Sequence, residues 1–553
     1  MHLGLDFGTS YTKLGYIKND SFVNLCPEER IPSLASLHKK DNSLIYGHIG
    51  IETLPAELTT WPFFKLALKR NRHVYLGNYS LLEILTGYFA FIKNQYLQNI
   101  NDNIDSLTIS VPNYFGMNAR RIILQAAKQV FPSARHALLP EPVAAILGYN
   151  LLTDKPISGE VLSIDIGGGT SDISFVSLAE DKQEILLETQ LQMGHDAFSG
   201  SEIDRAIIQN IFFSLGFQEE SDDFFSQVFN PSFSQSFTYY QLLREAEKVK
   251  IALNHQFSEK ATIPDLNNNY QKLSLEINRD LFVQRLQPVF NRLYNYIDNT
   301  VKNRARQLGL WQNNQWMLDH ILIMGGASKT PGLQKLLQDL FGSALVFPDD
   351  VEFNVVRGLS LWGARQAGTQ IKTIYPFQFY LQTRDIYSGN QSLEYLPFDT
   401  ANLELDINAC YPIASIPLTS PFNLASEPDK FHLRIFEVEE HDPESELERF
   451  SGQDAILDFQ AKVEQLNDPL EIIFDLNDYC LKINNSSIPQ NHPLDFINDD
   501  FFSFGWNLDI INNYRYFKPA LADSVNRQID KFAAEDDNSI RLKLLSILQL
   551  LTS

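Results

Sequence analysis

Through the first 370 residues, short apolar runs rich in Ile, Val and Leu repeatedly give way to a glycine-bearing turn. The turn leads either into a second apolar run or into apolar positions at helical spacing. HLGLDFGTSYTKLGYI and EVLSIDIGGGTSDISFVSL predict pairs of strands folded about a glycine turn, whereas DSLTISVPNYFGMNARRIILQAAKQVF and HILIMGGASKTPGLQKLLQDLF predict a strand followed by a helix. In LLREAEKVKIALN (242–254), Leu242, Ala246, Val249 and Leu253 form one stripe of a predicted helix. After about Gly368 the pattern changes to short β-compatible pieces: IKTIYPFQFYLQT, ANLELDINACYPIASI, KFHLRIFEVEE and EIIFDLNDYCLKI. Pro, Asn, Gly and acidic turns separate them. RQIDKFAAEDDNSIRLKLLSILQL then predicts one or two short helices. The expected organisation is an α/β ligand-binding domain over 1–370, a β-rich or α+β unit over 371–500 and a short helical region over 501–553.

Composition narrows this picture. A chain of 553 residues, 44% hydrophobic and 12% aromatic, has enough apolar material for several cores and is not an acidic disordered chain. Its formal charge is −23, and residues 371–553 hold 13 basic against 30 acidic side chains, so most of the charge lies in the last third. That balance argues against general nucleic-acid binding. The opening MHLGLDFGTSYT has no leader-like segment, and no run approaches the roughly 20 apolar residues of a membrane span. A soluble, cytoplasmic protein without a membrane partner is the expectation. Cys26, Cys410 and Cys480 are far apart, with no CxxC, and are expected to be small buried side chains. His48, His136, His195 and His320 have no metal-ligand spacing, and Asn485-Ser486-Ser487 is expected to be an inert surface turn.

Three turns carry candidate chemistry. In LGLDFGTSYT, a strand ending at Asp6 meets a turn opened by Gly8, whose amides, with the Thr9 and Ser10 hydroxyls, can face an anion while Asp6 binds Mg²⁺ through water. An ordinary hairpin with a polar tip would read the same way. SIDIGGGTSDIS repeats the arrangement with Asp165, Gly167, Gly168, Gly169 and Thr170, and the recurrence favours two hairpins clamping one phosphate chain. Neither matches the P-loop or the dinucleotide fingerprint. In ILIMGGASKTPG, Gly325 and Gly326 end a strand ahead of a helix starting near Pro331 or Gly332. They would let a flat nucleoside approach the backbone.

Taken in order, LGLDFGTSYTKLGY, LLPEPVAAILGYN, SIDIGGGTSDISFV and IMGGASKTPGLQKLL resemble the Hsp70 chaperone family of actin-fold ATPases, over about residues 1–370. The resemblance implies a two-lobed actin-like fold of ribonuclease H-like repeats that binds ATP/ADP with Mg²⁺. It gives Asp6, Glu141 and Asp165 to the metal, and Gly8, Thr9, Ser10, Tyr11 and Gly167–Thr170 to the phosphates. It makes Glu141, Asp165, Thr170 and Asp172, with Lys65 offsetting phosphate charge, the hydrolytic set. Lys69 or Arg70 competes with Lys65 for its place. Glu247, Lys250, Asn254, Gly325, Gly326 and Lys329 fall to the adenosine side. An ordinary surface ion pair would also account for Glu247 and Lys250.

The departures matter equally. Asn254 and Ala327 replace positions where the family commonly has a hydroxyl, and Lys329 stands where Arg is frequent. IKTIYPFQFYLQT does not resemble the family's interdomain linker, and the tail leaves little room for a full helical lid. The resemblance implies a protein or peptide client and a co-chaperone or nucleotide-exchange partner. A nucleotide-gated scaffold and a small-molecule kinase remain the competing functions.

Overall fold

The computed structural model describes residues 1–483, apart from 20, 27–29, 48–57, 71–74, 77, 99, 101–102, 154–155, 182–183, 196–197, 215–236, 264–272, 349, 365–368, 385–390, 399–402, 405–409, 420–421, 426–428, 440–454, 467 and 477. The expected C-terminal helices and the 485–487 turn lie outside the described residues.

Two sheets share one design. In the first, the spatial order is Arg135–Pro140, Ser106–Val111, His2–Phe7, Tyr11–Lys18 and Ser21–Asn24. The first three strands run parallel and the rest pair antiparallel. In the second, Leu345–Val346, His320–Met324, Gly159–Ile166, Ser171–Asp181 and Glu184–His195 follow the same order and the same senses. Central strands such as Ser106–Val111 are buried throughout, the pattern of a sheet covered on both faces. Both glycine hairpins therefore sit at corresponding ends of corresponding strands.

Helices Glu141–Leu152 and Asn354–Ala364 cross at backbone contact between the two sheets. A Cβ on Gly148 would overlap the Asn354 carbonyl, and one on Gly358 the Ala144 carbonyl. Only glycine permits that approach. No helix among the described residues is long and apolar enough to cross a membrane.

Beyond this, IKTIYPFQFYLQT forms two strands rather than one piece. Thr369–Thr373 joins the second sheet beside Glu184–His195, and Phe377–Arg384 enters a separate four-stranded sheet. Tyr375-Pro376 lies between them, where proline lacks the N–H that a continuous ladder needs. The four-stranded sheet, in the order Gln391–Leu396, Phe377–Arg384, Lys430–Glu439, Leu457–Lys462, accompanies a three-stranded one of Cys410–Ile416, Leu470–Asp475 and Cys480–Ile483. Apolar residues of both sheets, Phe379 and Phe431 of the first and Ile472 and Leu481 of the second, are continuous with the core of the first lobe around Phe7, Phe89 and Ile123. The described C-terminal sheets are thus packed into the N-terminal lobe. Cys26 and Cys480 are buried as expected, whereas Cys410, at the start of its strand, is exposed.

Since the crossing places backbone against backbone, Gly358→Ala should lower unfolding free energy by about 2–3 kcal/mol. Urea denaturation would detect this, and an unchanged midpoint would contradict the tight crossing.

Candidate active site

The antiparallel register of the first hairpin sets Asp6 opposite Lys13. Lys13 Nζ donates to Asp6 Oδ2 at 2.8 Å, and Ser110 Oγ, from the neighbouring parallel strand, donates to Oδ1 at 2.9 Å. Burial works against the Lys13 ammonium, but the charge and hydrogen bond of Asp6, joined by the charges of Glu352 and Asp165, together raise its pKa. The tip is tied down where Ser33 Oγ donates to the Gly8 carbonyl at 2.6 Å. Thr9 is buried and Ser10 half-buried.

In the second hairpin Asp165 pairs with Asp172 across the strands. The turn closes with the Gly167 amide donating to the Thr170 carbonyl at 2.9 Å, and the amides of Gly200 and Ser201 donate to the carbonyls of Gly167 and Gly168. Thr170 Oγ1 donates to Asp172 Oδ2 at 3.4 Å, while the Asn113 amide donates to Asp172 Oδ1 at 2.7 Å. The two hairpin tips meet. A Cβ on Gly168 would overlap the Ser10 side chain, and one on Gly169 the Thr9 side chain.

Lys65 and Glu141 enter from two further elements. Phe63 adopts a left-handed conformation (φ 60°), which costs an aromatic residue about 1–2 kcal/mol, and starts the short 3-10 segment Phe64–Leu66. Lys65, 1% exposed, lies over the Phe7 and Phe115 rings and donates to Glu141 Oε1 at 2.7 Å. Glu141 is the first residue of its helix.

Burial raises the Glu141 carboxyl, Lys65 opposes the rise and the Asp6 charge adds to it. Burial first, then the charges of Glu141 and Asp6, push Asp165 up to about 7, with Lys13 and Lys65 opposing. Asp172 is raised for the same reasons, by burial and then Glu141, against the Asn113 hydrogen bond. All four carboxylates therefore act on one small volume. Among the described residues no group of three or more His, Cys, Asp or Glu side chains is placed to chelate a metal directly. The mutual repulsion fits a divalent cation held near Asp6, Glu141 and Asp165 through water.

On the side expected to face adenosine, helix Phe237–Ala252 buries Leu242, Ala246 and Val249 of the predicted stripe, and Leu253 is buried just beyond its end. Glu247 and Lys250 do not act together. Tyr11 donates to Glu247 Oε2, whereas the buried Lys250 donates to Asp204 Oδ1 at 2.7 Å. Asn254 lies in the turn after the helix. Gly325 has φ +78°, and a Cβ there would overlap Asp165 Oδ1, so this turn abuts the phosphate hairpin. Gly326 leaves room, and Lys329 Nζ reaches Glu352 Oε1 at 3.3 Å. Arg30 crosses from the first lobe, with its guanidinium 5.4 Å from the Tyr11 ring centroid and 2.7 Å from Glu352.

The predicted residues other than Asn254, whose amide bonds only to the Ile251 carbonyl of its own turn among the contacts described, thus gather in two neighbouring groups linked by Tyr11 and Gly325. Lys13, Ser110, Asn113 and Asp204 were not anticipated. A tight hairpin register could have paired Lys13 with Asp6, but the other three come from a strand, a loop and a helix that are distant in sequence. His195 packs edge-on against Tyr296, while Asp196 lies outside the described residues.

The Hsp70 protein family model matches residues 65–368, more than half of the chain. The chain belongs to the Hsp70 family. The matched span begins at Lys65 and includes Glu141, the second hairpin and the adenosine-side residues; the first hairpin precedes it. Similar relatives include chaperone protein DnaK of Mycoplasmopsis agalactiae, 25% identical over 66% of this chain and 59% of its own length. DnaK of Mesomycoplasma hyopneumoniae strain J is 26% identical over 66% and 58% of the two chains. Chaperone protein HscA of Buchnera aphidicola subsp. Schizaphis graminum is 26% identical over 45% and 42%. The chain spans about three-fifths of the length of the DnaK relatives it matches. This is a divergent Hsp70 family member, and its family is one of two-lobed, actin-like ATPases that bind ATP/ADP with Mg²⁺.

The raised Asp165 pKa has a consequence for stability. The unfolded carboxyl ionises near 4 and the folded one near 7, so the folded state binds the extra proton between these values and loses stability as pH rises through them. Without nucleotide or Mg²⁺, Asp165→Asn should be more stable than the wild type at pH 8 by up to about 4 kcal/mol. The gain should shrink towards pH 4. Thermal denaturation across pH would check this, and an equal gain at every pH would contradict it.

Proposed function

We propose that the chain hydrolyses ATP to ADP and phosphate and couples its nucleotide state to protein or peptide binding, as a divergent Hsp70-like chaperone. The observation that carries this reading is the meeting of two glycine hairpins over three buried carboxylates, the half-buried Glu141 and two lysines. The repeated strand order of the two sheets supports a pair of ribonuclease H-like lobes in residues 1–370. In this reading 371–500 forms the accessory or client-binding unit and 501–553 a C-terminal helical region.

The amides and hydroxyls of Gly8, Thr9, Ser10 and Gly167–Thr170 hold the β- and γ-phosphates from opposite sides, with Tyr11 beside them. Asp6, Glu141 and Asp165 would hold hydrated Mg²⁺, which when bound supplies positive charge to the phosphates. Lys65 offsets charge that accumulates on the transferred group, while Glu141 keeps its ammonium in place. Thr170 and Asp172 orient the attacking water, and the Asn113 amide holds Asp172 ready for it. Glu247, Lys250, Asn254, Gly325, Gly326 and Lys329 form the adenosine side, with Lys250 contributing through Asp204. Positioning and electrostatics carry the reaction, without a covalent protein intermediate. A cytoplasmic setting with a client and a nucleotide-exchange partner completes the proposal.

A second reading is a nucleotide-gated scaffold that holds one fixed partner. The core shared by the first lobe and the C-terminal sheets favours it, because a unit packed in this way is poorly suited to swing free. Affinity for unfolded peptides that changes between ATP and ADP would select the chaperone, whereas ATP-dependent binding of one folded partner without it would select the scaffold.

Thr170→Ala should reduce Mg²⁺-dependent ATP turnover by about 100-fold while the far-ultraviolet circular dichroism stays unchanged. Steady-state phosphate release would measure it. Full activity in a folded variant would remove Thr170 from the hydrolytic set.

A further inference from the structure

Two of the three carboxylates proposed for the metal already hold an ammonium group. Lys13 Nζ lies 2.8 Å from Asp6 Oδ2, and Lys65 Nζ lies 2.7 Å from Glu141 Oε1. Asp165, the third, faces another carboxylate, Asp172, across its hairpin. The two lysines are not equivalent. Lys65 is sunk against the Phe7 and Phe115 rings at 1% exposure, whereas the Lys13 side chain keeps 16% and its ammonium also feels the charges of Glu352 and Asp165. Lys65 offsets charge on the transferred phosphate in the proposed mechanism, which leaves Lys13 without a task.

The backbone of Lys13 is fixed on both sides. Leu14 is fully buried opposite Leu5, and the buried Thr12 accepts from Tyr88 OH at 2.9 Å and lies 3.1 Å from Ser33 Oγ. The hairpin register therefore holds the ammonium at Asp6, whose other oxygen accepts from Ser110 Oγ at 2.9 Å. Both oxygens of Asp6 are engaged before any ligand arrives. A divalent cation drawn to this carboxylate meets the ammonium as a like charge, in a cleft where water screens little. A polyphosphate reverses the balance. Its negative oxygens attract the same ammonium, so the group that opposes a lone cation favours one that arrives on phosphate.

We propose that Lys13 couples metal loading to nucleotide loading, because its ammonium occupies the Asp6 carboxylate and repels Mg²⁺ that comes without phosphate. Mg²⁺ then enters the cleft with the nucleotide rather than ahead of it. The inference rests on the reading of Asp6, Glu141 and Asp165 as the metal carboxylates and adds the residue that sets the order of uptake. A lysine that merely stapled the hairpin would form the same ion pair, but its removal would not tighten metal binding.

The test is calorimetric titration of the nucleotide-free full chain with MgCl₂ at constant ionic strength, in the wild type, Lys13→Met, Lys13→Gln and Lys13→Arg. Lys462→Met, which removes one exposed positive charge from the strand Leu457–Lys462, is the control. Lys13→Met and Lys13→Gln should bind Mg²⁺ about tenfold tighter than the wild type, with Lys13→Arg and Lys462→Met within about twofold of it. Repeated with saturating ADP, the factor by which nucleotide tightens Mg²⁺ binding should be about tenfold smaller in Lys13→Met and Lys13→Gln than in the wild type. Lys13→Gln keeps an N–H donor for Asp6 without the charge, and it decides the matter alone should Lys13→Met fail to fold. Mg²⁺ binding by Lys13→Gln that is no tighter than the wild type's, or undetectable in both, would overturn the proposal. A wild type that binds Mg²⁺ and ADP yet releases no phosphate from ATP would sink the ATPase reading, while these titrations would still decide the role of Lys13.

Discussion

Four carboxylates, the buried Asp6, Asp165 and Asp172 and the half-buried Glu141, line one cleft and repel one another there. Two ammonium groups, Lys13 and Lys65, oppose them and leave the cluster short of positive charge. Burying like charges is unfavourable unless something compensates. By raising the Asp165 and Asp172 carboxyls, the cluster relieves its own repulsion. A divalent cation carrying a phosphate chain would do so in a chemically useful way, and the surrounding structure is arranged to present such a ligand.

That arrangement comes from the repeat. Each lobe places an aspartate at the end of its central strand and a glycine turn immediately beyond it, so the duplicated strand order brings two phosphate-facing tips together. The crossing helices Glu141–Leu152 and Asn354–Ala364 join the lobes where only glycine fits, and one of them carries Glu141 at its first residue. Further out, Tyr11 with Glu247 and Arg30 with Glu352 link the lobes on the proposed adenosine side. A ligand that contacts these groups differently before and after hydrolysis would change the relative stability of open and closed lobes.

Much of this was legible in the chain because it is local. A strand, an aspartate and a glycine turn leave a contiguous signature, as do the apolar stripe of Leu242, Ala246, Val249 and Leu253 and the Pro142-bearing helix start at Glu141. Contacts between distant strands leave none. Ser110 reaches Asp6 through parallel pairing, Asn113 reaches Asp172 from a loop, and Asp204 takes Lys250 from another helix. Helical spacing placed Glu247 and Lys250 on one face but could not show that they turn to different partners. The split of IKTIYPFQFYLQT was visible as Pro376, whereas its division between two sheets depended on tertiary packing.

The C-terminal sheets share the core of the first lobe, which makes these sheets part of the same mechanical body. The cleft between the two hairpins is proposed to take a metal-bound triphosphate. The most direct measurement is a crystal structure of the full chain with Mg²⁺ and a non-hydrolysable ATP analogue. The β- and γ-phosphates are predicted between Gly8–Ser10 and Gly167–Thr170, with the cation beside Asp6, Glu141 and Asp165. Nucleotide bound elsewhere, with the two tips still in contact, would contradict the account.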